Sequence, residues 1–183
     1  GRPIISIRSF ILEFSAPATK TGTLKFFSDN PSGLPENQKV FELPVKFALK
    51  PISLYYYQSA KDLDDNGNVK CSRDGLVAIG RNLPISQTPI KDTINLLLKG
   101  KENLTASEIQ QGITTEYPLE GFSLTGVSLK NDGTLVLSFN DPFNKTSGGA
   151  CRSGILWFQI ETTAKQFPEV KNVEYRPLEL FQP

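Results

Sequence analysis

One acidic loop has the spacing of the first half of a calcium-binding loop. Its first, third and fifth positions carry side-chain oxygens, from Asp62, Asp64 and Asn66. Its sixth position is Gly67, which allows the sharp turn of such a loop. The twelfth position, where such a loop needs a bidentate glutamate, is Arg73. The alternative is an acidic surface turn. Calcium is therefore the one cofactor that the sequence leaves open, and no other is expected.

A glycine pair at a predicted helix start is a candidate anion site. Gly148 and Gly149 precede Cys151, and Arg152 adds a positive charge where free helix amides would point. The segment lacks the glycine and lysine pattern of a nucleotide-binding loop. The alternative is that the glycines only allow the backbone to approach a neighbour closely.

Three consecutive tyrosines, Tyr55, Tyr56 and Tyr57, lie on a predicted strand. Alternate strand residues project to opposite faces, so at least one tyrosine should point away from the core and could line a carbohydrate or peptide surface. The alternative is that all three cover a half-buried sheet. Trp157 is expected in the core, because a large aromatic side chain dominates burial.

Catalysis is disfavoured by the absence of histidine from all 183 residues. Histidine is the usual general base of serine and cysteine hydrolases and the commonest transition-metal ligand. Cys151 at a helix start would lack an activating base. Two facing acids can hydrolyse glycosides, but Glu161 and Glu169 bracket no predicted cleft and are expected to be solvated. The sequence predicts a protein that is not an enzyme.

Two cysteines, Cys71 and Cys151, are far apart in sequence and do not form a C-x-x-C motif. This spacing excludes the usual zinc and redox motifs. The residues alone leave two alternatives open, which are two buried thiols or one bridge, and we favour the bridge. A bridge would place the protein in an oxidising compartment.

Composition limits the partners. With 20 basic and 19 acidic residues, the net charge of +1 gives little attraction for a polyanion, so nucleic acid is not an expected partner. No run approaches the ~20 apolar residues of a bilayer span. Because the chain contains no methionine and begins at Gly1, we expect a signal peptide or lipid anchor, if there is one, upstream. Membrane association is expected only through such an anchor.

Residues 1–51 are predicted to form a β-rich extension or small β subdomain, and residues 52–183 a separate domain. Branched and aromatic side chains dominate the run 4–14 and the strand candidates 22–27 and 40–49. Proline and glycine interrupt the segment between the last two.

The second domain alternates strands with amphipathic helices. Thr88 is expected to cap the first helix, which begins at Pro89 and stops at Gly100. Thr105 and Glu108 predict a capping box for a short second helix. The predicted strands are 53–58, 76–79, 122–130, 134–140 and 170–175. The last predicted helix covers residues 151–167 and is, with the first, one of the two main helices. This order predicts an α+β fold, a mixed sheet with two main helices packed on one face.

From Ser53 onward, the chain resembles the sporulation and spore germination domain called GerMN. The similarity covers residues 53–183. The matching segments are Leu54–Tyr57, Leu76–Pro84, Leu96–Gly100, Gly121–Phe139, Gly148–Arg152 and Gln159–Val173.

The resemblance implies an extracytoplasmic bacterial module, often carried on lipoproteins or membrane-anchored proteins. It also implies a fold similar to the ring-building motifs of secretion machinery and no catalytic activity. Family members with a Gly-Gly-x-Cys-Arg segment often carry a cysteine before the second strand, so the resemblance supports a bridge between Cys71 and Cys151. Residues 1–51 resemble no family known to us.

These observations predict a non-enzymatic protein-interaction or assembly module of a bacterial cell envelope, secreted or membrane-anchored. Its expected partner is an envelope protein or another copy of the same chain. The alternative is an envelope ligand-binding module, for a glycan or a calcium-dependent partner, that uses the tyrosine strand and the Asp62 loop.

Overall fold

The computed structural model describes residues 49–183 in full and, before them, the backbone of three strands. The chain divides into two compact units, Gly1–Leu49 and Lys50–Pro183. In the first unit, three strands form an antiparallel sheet in the order β1-β2-β3: β1 (Leu12–Ser15), β2 (Thr21–Phe26) and β3 (Glu42–Lys46). Most of the predicted run 4–14 and the segment between β2 and β3 lie outside the described residues. The predicted domain division at residue 51 stays a prediction.

The elements of the second unit follow the predicted order. They are β4 (Leu49–Tyr57), β5 (Leu76–Pro84), α1 (Pro89–Leu98), α2 (Ala106–Gln110), β6 (Ser123–Leu129), β7 (Thr134–Asn140), α3 (Ala150–Ala164) and β8 (Asn172–Arg176). The strands form two sheets, β4-β5 and β6-β7-β8. In the second sheet β6 pairs antiparallel and β8 parallel with β7, so the sheet is mixed. The α+β class predicted from the sequence is confirmed.

The core lies between the helices and one face of the β6-β7-β8 sheet. Alternate residues of β7, Leu135, Leu137 and Phe139, are buried on that face, as period-two patterning requires. They share one apolar cluster with Ile94, Leu97, Leu156 and Ile160 of the two main helices. Val136 and Ser138 alternate with them and are half-buried on the opposite face.

A tight turn joins β6 to β7 and fixes their register. Gly133 has a φ of 87° and its N–H donates to Lys130 C=O, a conformation that glycine adopts without steric cost. Asp132 accepts from the amide of Thr134. The antiparallel hairpin predicted from Asn-Asp-Gly is confirmed, with one bulge between Leu124 and Gly126.

The helix starts match the sequence predictions except at one cap, and α3 ends at Ala164 instead of the predicted residue 167. Thr105 and Glu108 form the predicted capping box of α2. Thr88 precedes α1 as predicted, but its hydroxyl donates to Asp92 instead of accepting a helix amide.

Trp157 is not in the core as the sequence predicts, because its side chain is 37% exposed. It lies next to the buried stripe of α3, and one residue turns a helix by about 100°, which carries its indole out of the core.

Candidate functional site

The loop between β4 and β5, residues 58–75, is tied to the first turn of α3. Cys71 Sγ lies within bonding distance of Cys151 Sγ, and the two Cα atoms are 5.2 Å apart, inside the range that a disulfide allows. Cys151 is solvent-exposed. We call residues 58–75 the bridged loop. The structure therefore brings the two predicted cysteines together, while their oxidation state in the cell stays a prediction.

Asp62 lies at the centre of the bridged loop and is fully buried. Its carboxylate accepts hydrogen bonds from the Tyr57 hydroxyl, the Ser72 amide (2.6 Å) and the Ser72 hydroxyl (2.5 Å). Burial by itself would raise the pKa of Asp62, but the bonds from Ser72 and Tyr57 outweigh it and lower the pKa. Burial first, and then the hydrogen bond to Asp62, raise the pKa of Tyr57. Asp62 is therefore an ionised internal brace of the loop.

The other two predicted calcium ligands belong to a separate surface turn. Asp64 accepts hydrogen bonds from the backbone amides of Asn66 (2.9 Å) and Asn68 (2.8 Å). These hydrogen bonds lower the pKa of Asp64, and the bond from Asn68 has the largest effect. An ion shared with Asp62 would have to displace Tyr57 or Ser72. In residues 49–183, no group of three or more Cys, Asp or Glu side chains is arranged to hold a metal. Calcium binding stays a prediction.

Glu161 of α3 is not the solvated charge that the sequence predicts. It is only 8% exposed and forms ion pairs with Arg73 of the bridged loop and with Lys165, the latter at 2.7 Å. Burial favours its neutral form, but both cations outweigh burial and lower its pKa. Arg73 also lies 4.1 Å from the centre of the Phe158 ring, a cation–π contact. The bridged loop is thus held to α3 by an ion pair and a cation–π contact, in addition to the close approach of the two cysteines. Glu169, the other flanking acid, is exposed as expected.

The predicted anion-binding residues meet at the start of α3, but their positive charge already has a partner. Gly149 is the residue before the helix and has a φ of 68°, with Gly148 next to it. Arg152 donates to the Glu116 carboxylate and the Ser147 carbonyl, at 2.7 and 2.6 Å. An anion here would compete with Glu116, so anion binding stays a prediction.

The tyrosine strand is largely internal, which corrects the predicted binding surface. Tyr56 is fully buried and Tyr57 is 5% exposed, so neither is available to a surface ligand. Only Tyr55 is half-buried. The physical reason is that both hydroxyls have internal partners: Tyr56 donates to the Leu97 carbonyl of α1, and Tyr57 donates to Asp62 of the bridged loop.

The two edges of the β6-β7-β8 sheet differ in character. Edge strand β8 carries Glu174 and Arg176, and Glu174 forms an ion pair with Lys130 at 3.0 Å. Edge strand β6, with the sequence SLTGVSL, has no charged residue and no proline. Charges and proline are the usual protection of a free strand edge. We call β6 the open edge. Sequence reasoning missed it, although its uncharged composition was the available signal.

Two cavities in the described residues have volumes of about 320 and 240 Å³. The larger contains Asp141, whose carboxylate already accepts from the amides of Lys145 and Thr146. The smaller lies between the end of α1 and the start of β6, with Lys99 and Glu102 at its rim. Glu179 also lines the larger cavity, and Glu102 is the one acid in the lining of the smaller.

None of the helices in the described part of the chain has the length and apolar composition needed to cross a membrane.

Comparisons with known proteins give one family match and similar solved structures. The family model described as "Germane: Sporulation and spore germination" matches residues 53–175. Among solved structures, the chain is similar to the first GerMN domain of the sporulation protein GerM from Bacillus subtilis, at 22% identity and a TM-score of 0.45, covering 68% of this chain and 81% of that one. It is also similar to the tandem GerMN domains of the same protein, at 19% identity and a TM-score of 0.49, covering 86% of this chain and 46% of that one. No curated protein matches.

Proposed function

Because the chain belongs to the sporulation and spore germination family, we propose that residues 52–183 form a non-enzymatic protein-interaction module of a bacterial cell envelope. The module works outside the cytoplasm, secreted or membrane-anchored. Its activity is surface recognition: an envelope protein or another copy of the chain pairs with it as part of an assembly.

The observation that carries this proposal is the open edge of β6. An exposed strand edge presents a row of backbone donors and acceptors to a partner strand. β8, at the other side of the same sheet, has the charges that discourage such pairing, whereas β6 has none. A strand edge without this protection is consistent with a surface that another chain covers.

Placement outside the cytoplasm is supported by the cysteine pair. Cys71 and Cys151 already lie in disulfide geometry, and exposed disulfides persist where thiols are not kept reduced. In the cytoplasm, the exposed Cys151 would meet reductants directly.

The non-enzymatic part of the proposal is supported by how the buried acids are used. Asp62 is held by Tyr57 and Ser72, and Glu161 by Arg73 and Lys165. These contacts stabilise the ionised carboxylates, whereas a general acid near neutral pH needs a raised pKa. The envelope ligand-binding alternative has less support, because Tyr56, Tyr57 and Asp62 are internal.

Compartment is tested by thiol labelling in intact cells of the native host. A tagged full-length chain is treated with a membrane-impermeant maleimide, with and without prior reduction. We expect no labelling of the wild type before reduction and labelling after it. The control is Cys151→Ser, which leaves Cys71 as a free thiol and should be labelled without reduction. Labelling of both wild-type cysteines before reduction, or none in the control, would contradict the proposal.

Interaction is tested by photo-cross-linking in the same cells. A photoreactive residue is placed at Ser128 on the open edge or, as the matched control, at Asp65 on the exposed turn of the bridged loop. We expect discrete cross-linked species from Ser128 and none from Asp65. Absence of cross-links at Ser128 would contradict the interaction module.

A further inference from the structure

The geometry points to a second copy of this chain as the partner of the open edge, with two β6 strands pairing antiparallel about a two-fold axis at Ser128. This inference rests on the proposed function, since it names the partner of the same surface. Such a contact is isologous and closes as a dimer, with a continuous six-stranded sheet made from two copies of β6-β7-β8.

The backbone groups available on β6 suit that register. Lys130 N–H donates to Thr134 C=O across the hairpin at 2.9 Å. Because bonding alternates along an antiparallel ladder, Ser128 also points its amide toward β7, and Val127 and Leu129 point theirs away. Among the described residues, β6 pairs with β7 alone. An axis at Ser128 places Val127 of each copy opposite Leu129 of the other. The backbone groups of these two residues point outward in both copies, so each Val127–Leu129 pair can exchange hydrogen bonds.

The side chains in that register are complementary. Val127 and Leu129 face the helix side of the sheet, opposite Leu137 and Leu135 of β7. The apolar side chain of Leu129 lies at the free edge and is 41% exposed. In the dimer, Val127 of the other copy would cover it. Lys130 falls opposite Gly126 and so meets no like charge. The axis uses only the regular part of β6, beyond the bulge at Leu124.

A two-fold axis placed in the same way on β8 is less favourable, and this is why we infer that β6 forms the dimer contact. A two-fold axis at Glu174 places two carboxylates directly opposite each other, and like charges in facing positions destabilise a strand pair. The ion pairs of Glu174 with Lys130 and Arg176 would also have to rearrange. The symmetric register that suits β6 is therefore disfavoured on β8 by the charge of Glu174.

The test is sedimentation equilibrium of the full chain and three variants at concentrations up to about 1 mM, where even weak dimers form. Ser128→Lys places two lysines opposite each other at the axis, and we expect dimerisation to weaken at least about tenfold. Ser128→Thr keeps a hydroxyl and favours strand structure, so it should dimerise at least as well as the wild type. Ser123→Lys puts the same charge on the same strand outside the paired segment and should change dimerisation by less than about twofold.

Cross-linking checks the register. Ser128 is opposite itself in a pair whose side chains approach closely, so the Ser128→Cys chain should oxidise to a covalent dimer much faster than the Ser123→Cys chain. A wild type that stays monomeric, or a dimer weakened equally by Ser128→Lys and Ser123→Lys, would overturn the inference. Photo-cross-links from Ser128 to a different protein in cells would also overturn it while leaving the proposed function standing. Loss of all cross-links would contradict both.

Discussion

The bridged loop and the open edge use their polar groups in opposite ways. In the loop, the buried Asp62 carboxylate has three hydrogen bonds and Arg73 contacts both Glu161 and Phe158. On β6, the outward backbone groups of Val127 and Leu129 face no other strand of the described residues. The charged region of the molecule is therefore structural, and the uncharged strand is where bonding capacity remains for a partner.

This contrast reverses the expectation from residue type. Acids, arginines and cysteines are the groups that a sequence reader first assigns to chemistry. Here burial and internal pairing commit them to the fold, since a buried charge is stable only when it is paired and hydrogen-bonded. Substitutions in the bridged loop are therefore expected to cost more stability than substitutions on the open edge.

The largest effect is expected from removal of the bridge. For a sequence separation of 80 residues, the chain-entropy estimate for a disulfide is ~4.5 kcal/mol. The double variant Cys71→Ser/Cys151→Ser should lose about that much free energy of unfolding in urea. Reductant should destabilise the wild type by a similar amount and leave the double variant unchanged. Equal stability of the two proteins without reductant would show that the cysteines are not bridged.

Removal of the internal brace should have the next largest effect. Asp62→Ala leaves the Tyr57 hydroxyl and both Ser72 donors without their acceptor, and we expect a loss of about 3 kcal/mol. Asp64→Ala, two residues away on the surface turn, is the matched control and should cost clearly less. Equal losses in urea unfolding would contradict the structural distinction between the two acids.

Acid sensitivity should come from the paired charges. The pKa of Glu108 is lowered from 4.5 to about 2, mainly by the hydrogen bond from the Arg81 guanidinium. The hydrogen bond from the Thr105 amide in the capping box lowers it further. The stability from ionised Glu108 is thus present above pH 4.5 and is lost as the pH falls toward 2. Glu108→Gln should cost about 2 kcal/mol at pH 7 and progressively less toward pH 2. Urea unfolding from pH 7 to 2 measures this difference, and a cost that does not change with pH would refute it. Arg81→Gln should also flatten the acid response.

The smallest effect is expected at the open edge. Ser128 is exposed on the outer face of the sheet, so Ser128→Lys and Ser128→Thr should each change the free energy of unfolding of the dilute protein by less than about 0.5 kcal/mol. The measurement is thermal or urea unfolding at low concentration, where dimers do not contribute. A loss as large as that of Asp62→Ala would mean that β6 is structural and not a contact surface.

Local signals in the sequence were sufficient for the order of the elements. The Asn131–Gly133 turn, the Thr105 and Glu108 capping box, and the apolar stripe of α3 each depend on residues within a few positions of one another. Their predicted structures are confirmed. The similarity to the GerMN domain, drawn from the order of such segments, is also confirmed by the family match.

Two of the errors involve contacts between distant residues. Tyr56 is buried and donates to the carbonyl of Leu97 of α1, 41 residues away, and burial of Glu161 depends on Arg73, which is 88 residues away. Trp157 was assigned by size alone, although its neighbours on α3 decide its exposure. The open edge was missed because an edge exists only once the strand order of a sheet is known.

Amide hydrogen exchange by NMR compares the two regions most directly, because it reads single backbone groups in one sample. In dilute protein we expect the amides of Val127 and Leu129 to exchange rapidly and the amide of Ser72, bonded to Asp62, to be protected. At high concentration, Val127 and Leu129 should gain protection of about tenfold or more, with Ser72 unchanged. Protection of Val127 and Leu129 that does not depend on concentration, or rapid exchange at Ser72, would contradict the account.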